Sequence, residues 1–428
     1  MKKRTNLLIT CFLFGVIILP GCKDEDDPLS LSTVAVTDVT LTSAKSGGII
    51  RGDGSADVTA RGVVWSTQKE PTTSDNFTTN GSGSGDFTSE ITGLTHSTIY
   101  YTRAYARNSV GTTYGNELSF TTEAPGLAKV TTAQLTGLTS VAVVIGCNVT
   151  SDGGLDVTER GVCWGIAPNP TADDNKTTDG NGTGEFSSNI TGLSNGTVYY
   201  VRSYAVNSKG IAYGNEVTFI TPVTDVEGNV YKTVKIGNQV WMAENLRVIR
   251  YRNNTSIRRV TDSITWMTLT GPAYAWYRNN AANKEKHGAL YNWFTVATGN
   301  LCPQGWHVPT NEEFHTLEKQ IGIPADSVGF WGWRGNGSAT KLKDSIGWLT
   351  GAGNNSSGFS ATGSGYRAWS DSQFRGLNEI AYYWSATDDA INNKPTVAYY
   401  RRIDGASNFV YKATTGKEGG KSLRCVKN

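Results

Sequence analysis

The sequence predicts three folded domains, two all-β sandwiches in tandem and then one mixed α+β domain, and three observations predict them. The first is a duplication. Residues 33–122 align without a gap onto residues 132–221 at a constant offset of 99, with about half of the positions identical. A gapless period of that size marks two copies of one domain, not a solenoid of small units. The second is local pattern: each copy reads as short strands broken by clusters of Gly, Asn, Asp and Ser, with no long segment of helical period. The third is a shift in composition near Val223, beyond which lie all of the 12 Trp except Trp65 and Trp164. The expected organisation is a leader at 1–21, a tether at 22–32, domains at 33–122 and 132–221, and a third domain at 223–428.

The leader begins with Lys2, Lys3 and Arg4, followed by an apolar stretch over residues 7–19. That stretch is too short to cross a bilayer core of ~30 Å but suits a signal peptide. Leu19-Pro20-Gly21-Cys22 resembles the lipobox of bacterial lipoproteins, which implies cleavage before Cys22 and lipid on its thiol. Lys23-Asp24-Glu25-Asp26-Asp27 then resembles the tract that marks lipoproteins for surface export in Bacteroidetes. The expected location is the outer membrane, lipid-anchored and facing the exterior. No run of 18 apolar residues follows the leader, so no spanning helix is expected.

Charge argues against a nucleic-acid partner. The formal net charge is +2, and it becomes −1 once the three basic leader residues are removed. Residues 22–222 carry 12 basic and 21 acidic side chains, whereas 223–428 carry 24 and 16. A basic C-terminal face would attract an anionic glycan or an acidic partner.

Within the copies, Arg61-Gly62-Val63-Val64-Trp65 repeats as Arg160-Gly161-Val162-Cys163-Trp164, and the two Trp read as core residues. Asp53-Gly54 and Asp152-Gly153-Gly154 sit where hairpin turns are needed. Leu94 stands six residues before Tyr100, and Leu193 six before Tyr199, each Tyr opening a strand. This spacing resembles fibronectin type III domains, although His96 and Asn195 stand where that family usually has proline. The resemblance implies a sandwich in which the Tyr hydroxyl bonds back to the preceding chain. Gly81-Ser82-Gly83-Ser84-Gly85 and its counterpart at 180–184 lack the Lys and the helix of a phosphate loop, so they read as flexible hairpin loops.

The third domain carries Gln239-Val240-Trp241-Met242-Ala243-Glu244-Asn245-Leu246, Tyr291-Asn292-Trp293, Cys302-Pro303-Gln304-Gly305-Trp306, Tyr383-Trp384-Ser385-Ala386-Thr387 and Leu423-Arg424-Cys425 in order. The series resembles the Fibrobacter succinogenes major paralogous domain, which implies a C-type-lectin-like fold. Thr310-Asn311-Glu312-Glu313 is a capping box that opens a helix with Phe314, Leu317 and Ile321 on one face. A second helix is expected near residues 288–297. Cys302 and Cys425 are the only cysteines of this domain, and in an exported protein a disulfide is the default. Cys147 and Cys163 flank a turn of the second copy, where facing positions on a hairpin would let them bridge as well.

Catalysis and cofactors are not expected. His307, His315 and Glu312 fit no helical zinc spacing. There is no nucleophile elbow and no His-Glu-x-x-His. Asn393-Lys394-Pro395 and Trp384-Ser385-Ala386 do not match the motifs of calcium-dependent lectins. The ligand-binding candidates are Arg247, Arg250, Arg252, Arg258 and Arg259, clustered around a polar loop, and Trp331, Trp333 and Trp369 in Gly- and Ser-rich surroundings. These features point to a non-enzymatic surface lipoprotein that presents a lectin-like tip on two spacers, for adhesion to a glycan or a surface protein. The alternative is a structural subunit of a surface assembly such as a fimbrial tip.

Overall fold

The structure is a computed structural model that describes residues 29–52 and 54–428. The leader, Cys22, the acidic tract at 23–27 and Asp53 lie outside the described residues. The chain divides into two compact units: the first copy up to Gly126 with Gly153–Leu155, and the remainder from Leu127. The second copy and the third domain therefore lie in one unit.

In the first unit, strands β1 (Ser30–Thr37), β2 (Ser43–Arg51) and β5 (Gly85–Thr92) form one sheet, and β3 (Ala60–Ser66), β4 (Asn76–Phe77), β6 (Ile99–Arg107), β7 (Thr112–Tyr114) and β8 (Leu118–Thr121) form the other. Alternation decides which side chains turn inward: Phe87, Ser89 and Ile91 are buried along β5 while their neighbours are exposed. Ile50, Val63, Trp65, Leu94, Tyr100 and Ala104 pack with them in the core. The Tyr100 hydroxyl accepts the Thr95 N–H at 3.0 Å, as the family resemblance implies. Gly62 is required by close approach, because a Cβ there would stand 2.0 Å from the Thr78 carbonyl oxygen. The Gly-rich loop is strapped down, contrary to expectation. Arg61 donates to the carbonyls of Gly83 (3.1 Å) and Ser84 (2.8 Å), and the Gly83 N–H donates to Val58.

The second copy repeats this plan. Strands β9 (Lys129–Thr136), β10 (Ala142–Ser151) and β13 (Gly184–Thr191) face β11 (Glu159–Gly165), β12 (Asn175–Lys176), β14 (Val198–Asn207), β15 (Gly210–Tyr213) and β16 (Val217–Ile220). Tyr199 accepts the Ser194 N–H at 3.0 Å. Cys147 and Cys163 are free, which corrects the predicted bridge. Cys147 lies on β10 and points into the core, whereas Cys163 lies on β11 in the opposite sheet. Its strand neighbours Val162 and Trp164 take the inward positions, and the Cys163 thiol turns to the Pro170 carbonyl. Burial pushes the two thiols up, to about 12 and about 11.

The second sandwich docks on the third domain. Thr233 Oγ1 donates to the Thr221 carbonyl, and Lys427 Nζ to Thr197 Oγ1, both at 2.9 Å. Gly196 lies against the Trp306 ring, so closely that a Cβ would stand 2.1 Å from it.

The third domain opens with β17 (Val223–Thr224) and β18 (Val230–Tyr231). A four-stranded sheet follows, made of β19 (Thr233–Ile236), β20 (Gln239–Met242), β23 (Trp306–His307) and β30 (Val426–Lys427). β21 (Tyr274–Ala275) pairs with β22 (Leu290–Tyr291). The largest sheet runs β24 (Gly332–Arg334), β29 (Val410–Gly416), β28 (Lys394–Asp404), β27 (Ile380–Asp389), β25 (Ser364–Arg367), β26 (Phe374–Leu377) in spatial order. Five short helices are interspersed: α1 (Ser263–Met267), α2 (Lys284–His287), α3 (Trp293–Val296), α4 (Asn311–Gln320) and α5 (Ser338–Leu342).

The capping box of α4 forms as predicted, with Thr310 and Glu313 each bonding the other's backbone. Phe314, Leu317 and Ile321 pack with Ala381, Tyr383, Ile403 and Val410 on one face of the large sheet. Tyr382, Trp384, Ala398 and Tyr400 lie on the other face, with Tyr291, Trp293 and Leu423. The helix expected near 288–297 shrinks to α3. Gly288 has φ 73°, and Leu290–Tyr291 is drawn into a strand pair instead. Cys302 and Cys425 are bonded, with their Cα atoms 6.0 Å apart, and tie the Pro-Gly-Trp segment to the terminal strand.

Candidate functional site: an aromatic strip on the large sheet

Period-two alternation places a row of rings on the face of the large sheet opposite α4. Register pairs Trp333 with Tyr411, Tyr411 with Arg402, and Arg402 with Tyr382, one residue from each of β24, β29, β28 and β27. Tyr400 joins the row two positions along β28, and Tyr366 extends it on β25. Ring centroids are 4.9 Å apart for Trp333–Tyr411, 6.3 Å for Tyr411–Tyr400, 5.1 Å for Tyr400–Tyr382 and 4.6 Å for Tyr382–Tyr366. Five adjacent strands each contribute one ring, so at about 4.8 Å per strand the strip is ~19 Å long.

Tyr382 and Tyr400 are buried, Tyr366 and Tyr411 are half-buried, and Trp333 at one end is 44% exposed. Trp369, 54% exposed, stands beside Gly416 and Gly419. Burial raises the Tyr382 hydroxyl to about 12 and the Tyr400 hydroxyl further, so both are protonated donors at neutral pH. The Arg402 guanidinium lies between Trp333 (5.4 Å) and Tyr382 (5.6 Å) and is held by a two-point pair with Asp404 at 2.6 and 2.5 Å. Lys421 reaches in from the chain beneath. Its Nζ lies 4.3 Å from the Trp384 centroid, 5.1 Å from Tyr382 and 5.2 Å from Tyr400. Rings that offer a flat apolar face and a polar rim, with fixed donors among them, are suited to a ligand with alternating C–H and hydroxyl surfaces.

Two of the three predicted Trp flank this face. Trp331 belongs to the opposite one, where it stacks on Tyr399 at 5.4 Å near Lys412. The predicted Arg cluster is not brought together as a site. Arg247 is 9% exposed, lies over the Tyr231 ring at 4.4 Å and pairs with Glu285. Arg252 donates to the carbonyls of Cys302 and Gly299, and Arg259 to that of Asn279. Arg250 donates to the Asn254 carbonyl of its own loop, and Arg258 is exposed. Backbone carbonyls of the surrounding loops thus absorb most of that charge. Tyr366, Tyr382, Tyr400, Tyr411, Arg402 and Lys421 were missed. The available signal was the alternation of Tyr382 with Trp384 and of Tyr400 with Arg402 on adjacent strands.

Two clefts of this domain are polar. A polar cleft of about 240 Å³ is lined by Glu244, Glu285, Asp344 and Arg424, and another of about 340 Å³ by Asp225, Arg252 and Gln304. His307 pairs with Glu313 at 2.7 Å and His315 with Glu312 at 3.2 Å. Among the described residues no cluster of three metal-ligating side chains occurs.

Residues 234–427 match the family model described as the Fibrobacter succinogenes major domain. No curated protein matches the chain. Similar solved structures include the FN1–FN3 domains of chicken CNTN1, at 15% identity over 45% of this chain and 68% of that one, with a TM-score of 0.20. A two-domain fibronectin type III segment of chicken tenascin is 14% identical over 44% of this chain and 97% of that one, with a TM-score of 0.25. A structure titled as a myokine is 18% identical over 22% and 98%, with a TM-score of 0.18.

Proposed function

We propose that this chain is a surface adhesin, anchored by lipid on Cys22, whose third domain binds carbohydrate through the aromatic strip. The two sandwiches act as spacers that hold the binding domain away from the membrane. The third domain is C-type-lectin-like. That reading is supported by the resemblance of its motif series, by one ten-residue helix on one face of a six-stranded sheet, and by a disulfide to the terminal strand. The observation that carries the function is the row of Trp333, Tyr411, Tyr400, Tyr382 and Tyr366, one ring per strand, with Arg402 set among them. Sugar rings stack on such faces through their C–H surfaces while their hydroxyls meet the phenols and the guanidinium. A glycan array with the mature chain tests it. Wild type is expected to select a glycan class that Trp333→Ala no longer retains. No glycan bound, or the same glycans bound by the variant, would contradict the proposal.

A further inference from the structure

Lys421 is the one group of the strip that its own surroundings leave uncompensated. The side chain is 3% exposed, and among the described residues its ammonium has neither a hydrogen-bond acceptor nor a carboxylate within ion-pair reach. Other deeply buried cations of this domain are differently served. Arg334 and Arg401 share Glu318 at 2.6 and 2.7 Å, Lys343 donates to three carbonyls, and Arg367 to the carbonyls of Val260, Thr261, Asp262 and Ser372. Lys421 has only the faces of Tyr382, Trp384 and Tyr400. Those rings stabilise a cation by their quadrupole but give its three N–H donors no acceptor. A buried ammonium without an acceptor is costly, and the cost is recovered when an anion arrives. Tyr382 and Tyr400, whose faces the ammonium meets, are members of the row, and buried Gly419 stands beside both the ammonium and exposed Trp369. Glycine at 419 lets the chain pack closely beside the ammonium, because a Cβ there would stand 3.0 Å from Lys421 Nζ.

We propose that the strip takes an acidic sugar chain and that Lys421 receives its carboxylate or sulfate, an inference that rests on the carbohydrate-binding function above. Arg402 is already neutralised by Asp404, so it orients the ligand and Lys421 supplies the charge selection. Burial lowers Lys421 to about 7, so at neutral pH part of it is the neutral amine, which gains a proton as the anion docks.

The test is binding of the mature chain to acidic polysaccharides, each paired with its carboxyl-reduced or desulfated counterpart, for wild type and Lys421→Met. Wild type is expected to prefer the acidic member by about tenfold or more, as for one charge-assisted hydrogen bond, and the variant to bind both members alike. If wild type binds both members equally, the inference fails and carbohydrate binding stands. If the variant keeps the preference, Lys421 is not the receiving group. If neither member of any pair is bound, both the inference and the function beneath it fall. A measurement on wild type alone guards against a misfolded variant. In lysine-labelled protein the Lys421 ammonium resonance should shift on titration with the acidic chain and not with its neutral counterpart, and an unmoved resonance would overturn the assignment.

Discussion

Gly62 and Gly161 show how a single residue type is dictated at the residue scale. Each carries its strand against a carbonyl oxygen at a distance no side chain tolerates, Thr78 for one and Thr177 for the other. Gly62→Ala or Gly161→Ala should therefore destabilise its sandwich by about 1–3 kcal/mol, read as a lowered denaturation midpoint in urea. The cysteines divide by the same local logic. Reduction of Cys302–Cys425 should cost the third domain up to about 4–5 kcal/mol in the chain-entropy account of a long closed loop. Cys147 and Cys163 should alkylate only after unfolding, because each is buried in a separate sheet with its thiol held protonated. Peptide mass spectrometry after labelling of the native and unfolded chain checks both statements. His287 supplies a pH dependence. Burial, reinforced by Lys286, lowers it from 6.5 to about 4. The unfolded chain therefore binds a proton that the folded chain refuses, and stability present above pH 6.5 is lost as pH falls towards 4. The loss is of the order of 3 kcal/mol at most, and His287→Gln should remove that part of the acid sensitivity in thermal melts.

At the scale of elements, what was legible in the sequence was whatever depends on neighbours along the chain. The duplication, the Leu94–Tyr100 and Leu193–Tyr199 corners, the Thr310 capping box and the helix it opens all follow from short spacings, and they take the expected form. The aromatic strip was only half legible. Exposure of Trp333 and Trp369 could be argued from Gly- and Ser-rich surroundings. The row they flank depends on the register of β24, β29, β28 and β27, which brings residues 333, 411, 402 and 382 side by side. The Arg loop misled because charge density along the chain says nothing about which carbonyls will meet each guanidinium. The junction of the second sandwich with the third domain was hidden for the same reason. Copy one has Ser97, with φ 51°, where copy two has Gly196, with φ 54°, and only the second meets Trp306. Gly196→Ser, which restores the residue of the first copy, should loosen this junction while leaving each domain folded. Limited proteolysis between residues 221 and 233 and faster amide exchange at Thr197 would report it, and unchanged protection would refute the role given to that contact.

For the whole molecule, the proposed function asks for an address, a spacer and a binding domain. The address is expected at Cys22. Cys22→Ala should leave a form without fatty acid that does not partition into membranes. Neutral replacement of residues 23–27 should keep the anchor but shield the chain from protease added to intact cells. Fractionation with lipid labelling and protease accessibility check these outcomes. The two sandwiches are of one design, and the second belongs to the same compact unit as the third domain. The third domain has a sheet with two unlike faces: one buries α4 with the Glu318 ion pairs, and the other packs a second core from which the strip runs out to Trp333. Trp331 and Trp333 leave the edge strand on opposite sides, and that separation allows the central claim to be tested with its own control. The decisive measurement is calorimetric titration of one bound glycan into wild type, Trp333→Ala and Trp331→Ala. Loss of one aromatic stacking platform should weaken binding by about tenfold in Trp333→Ala, with Trp331→Ala close to wild type. Equal affinity of Trp333→Ala and wild type, or a loss confined to Trp331→Ala, would contradict the strip as the binding surface.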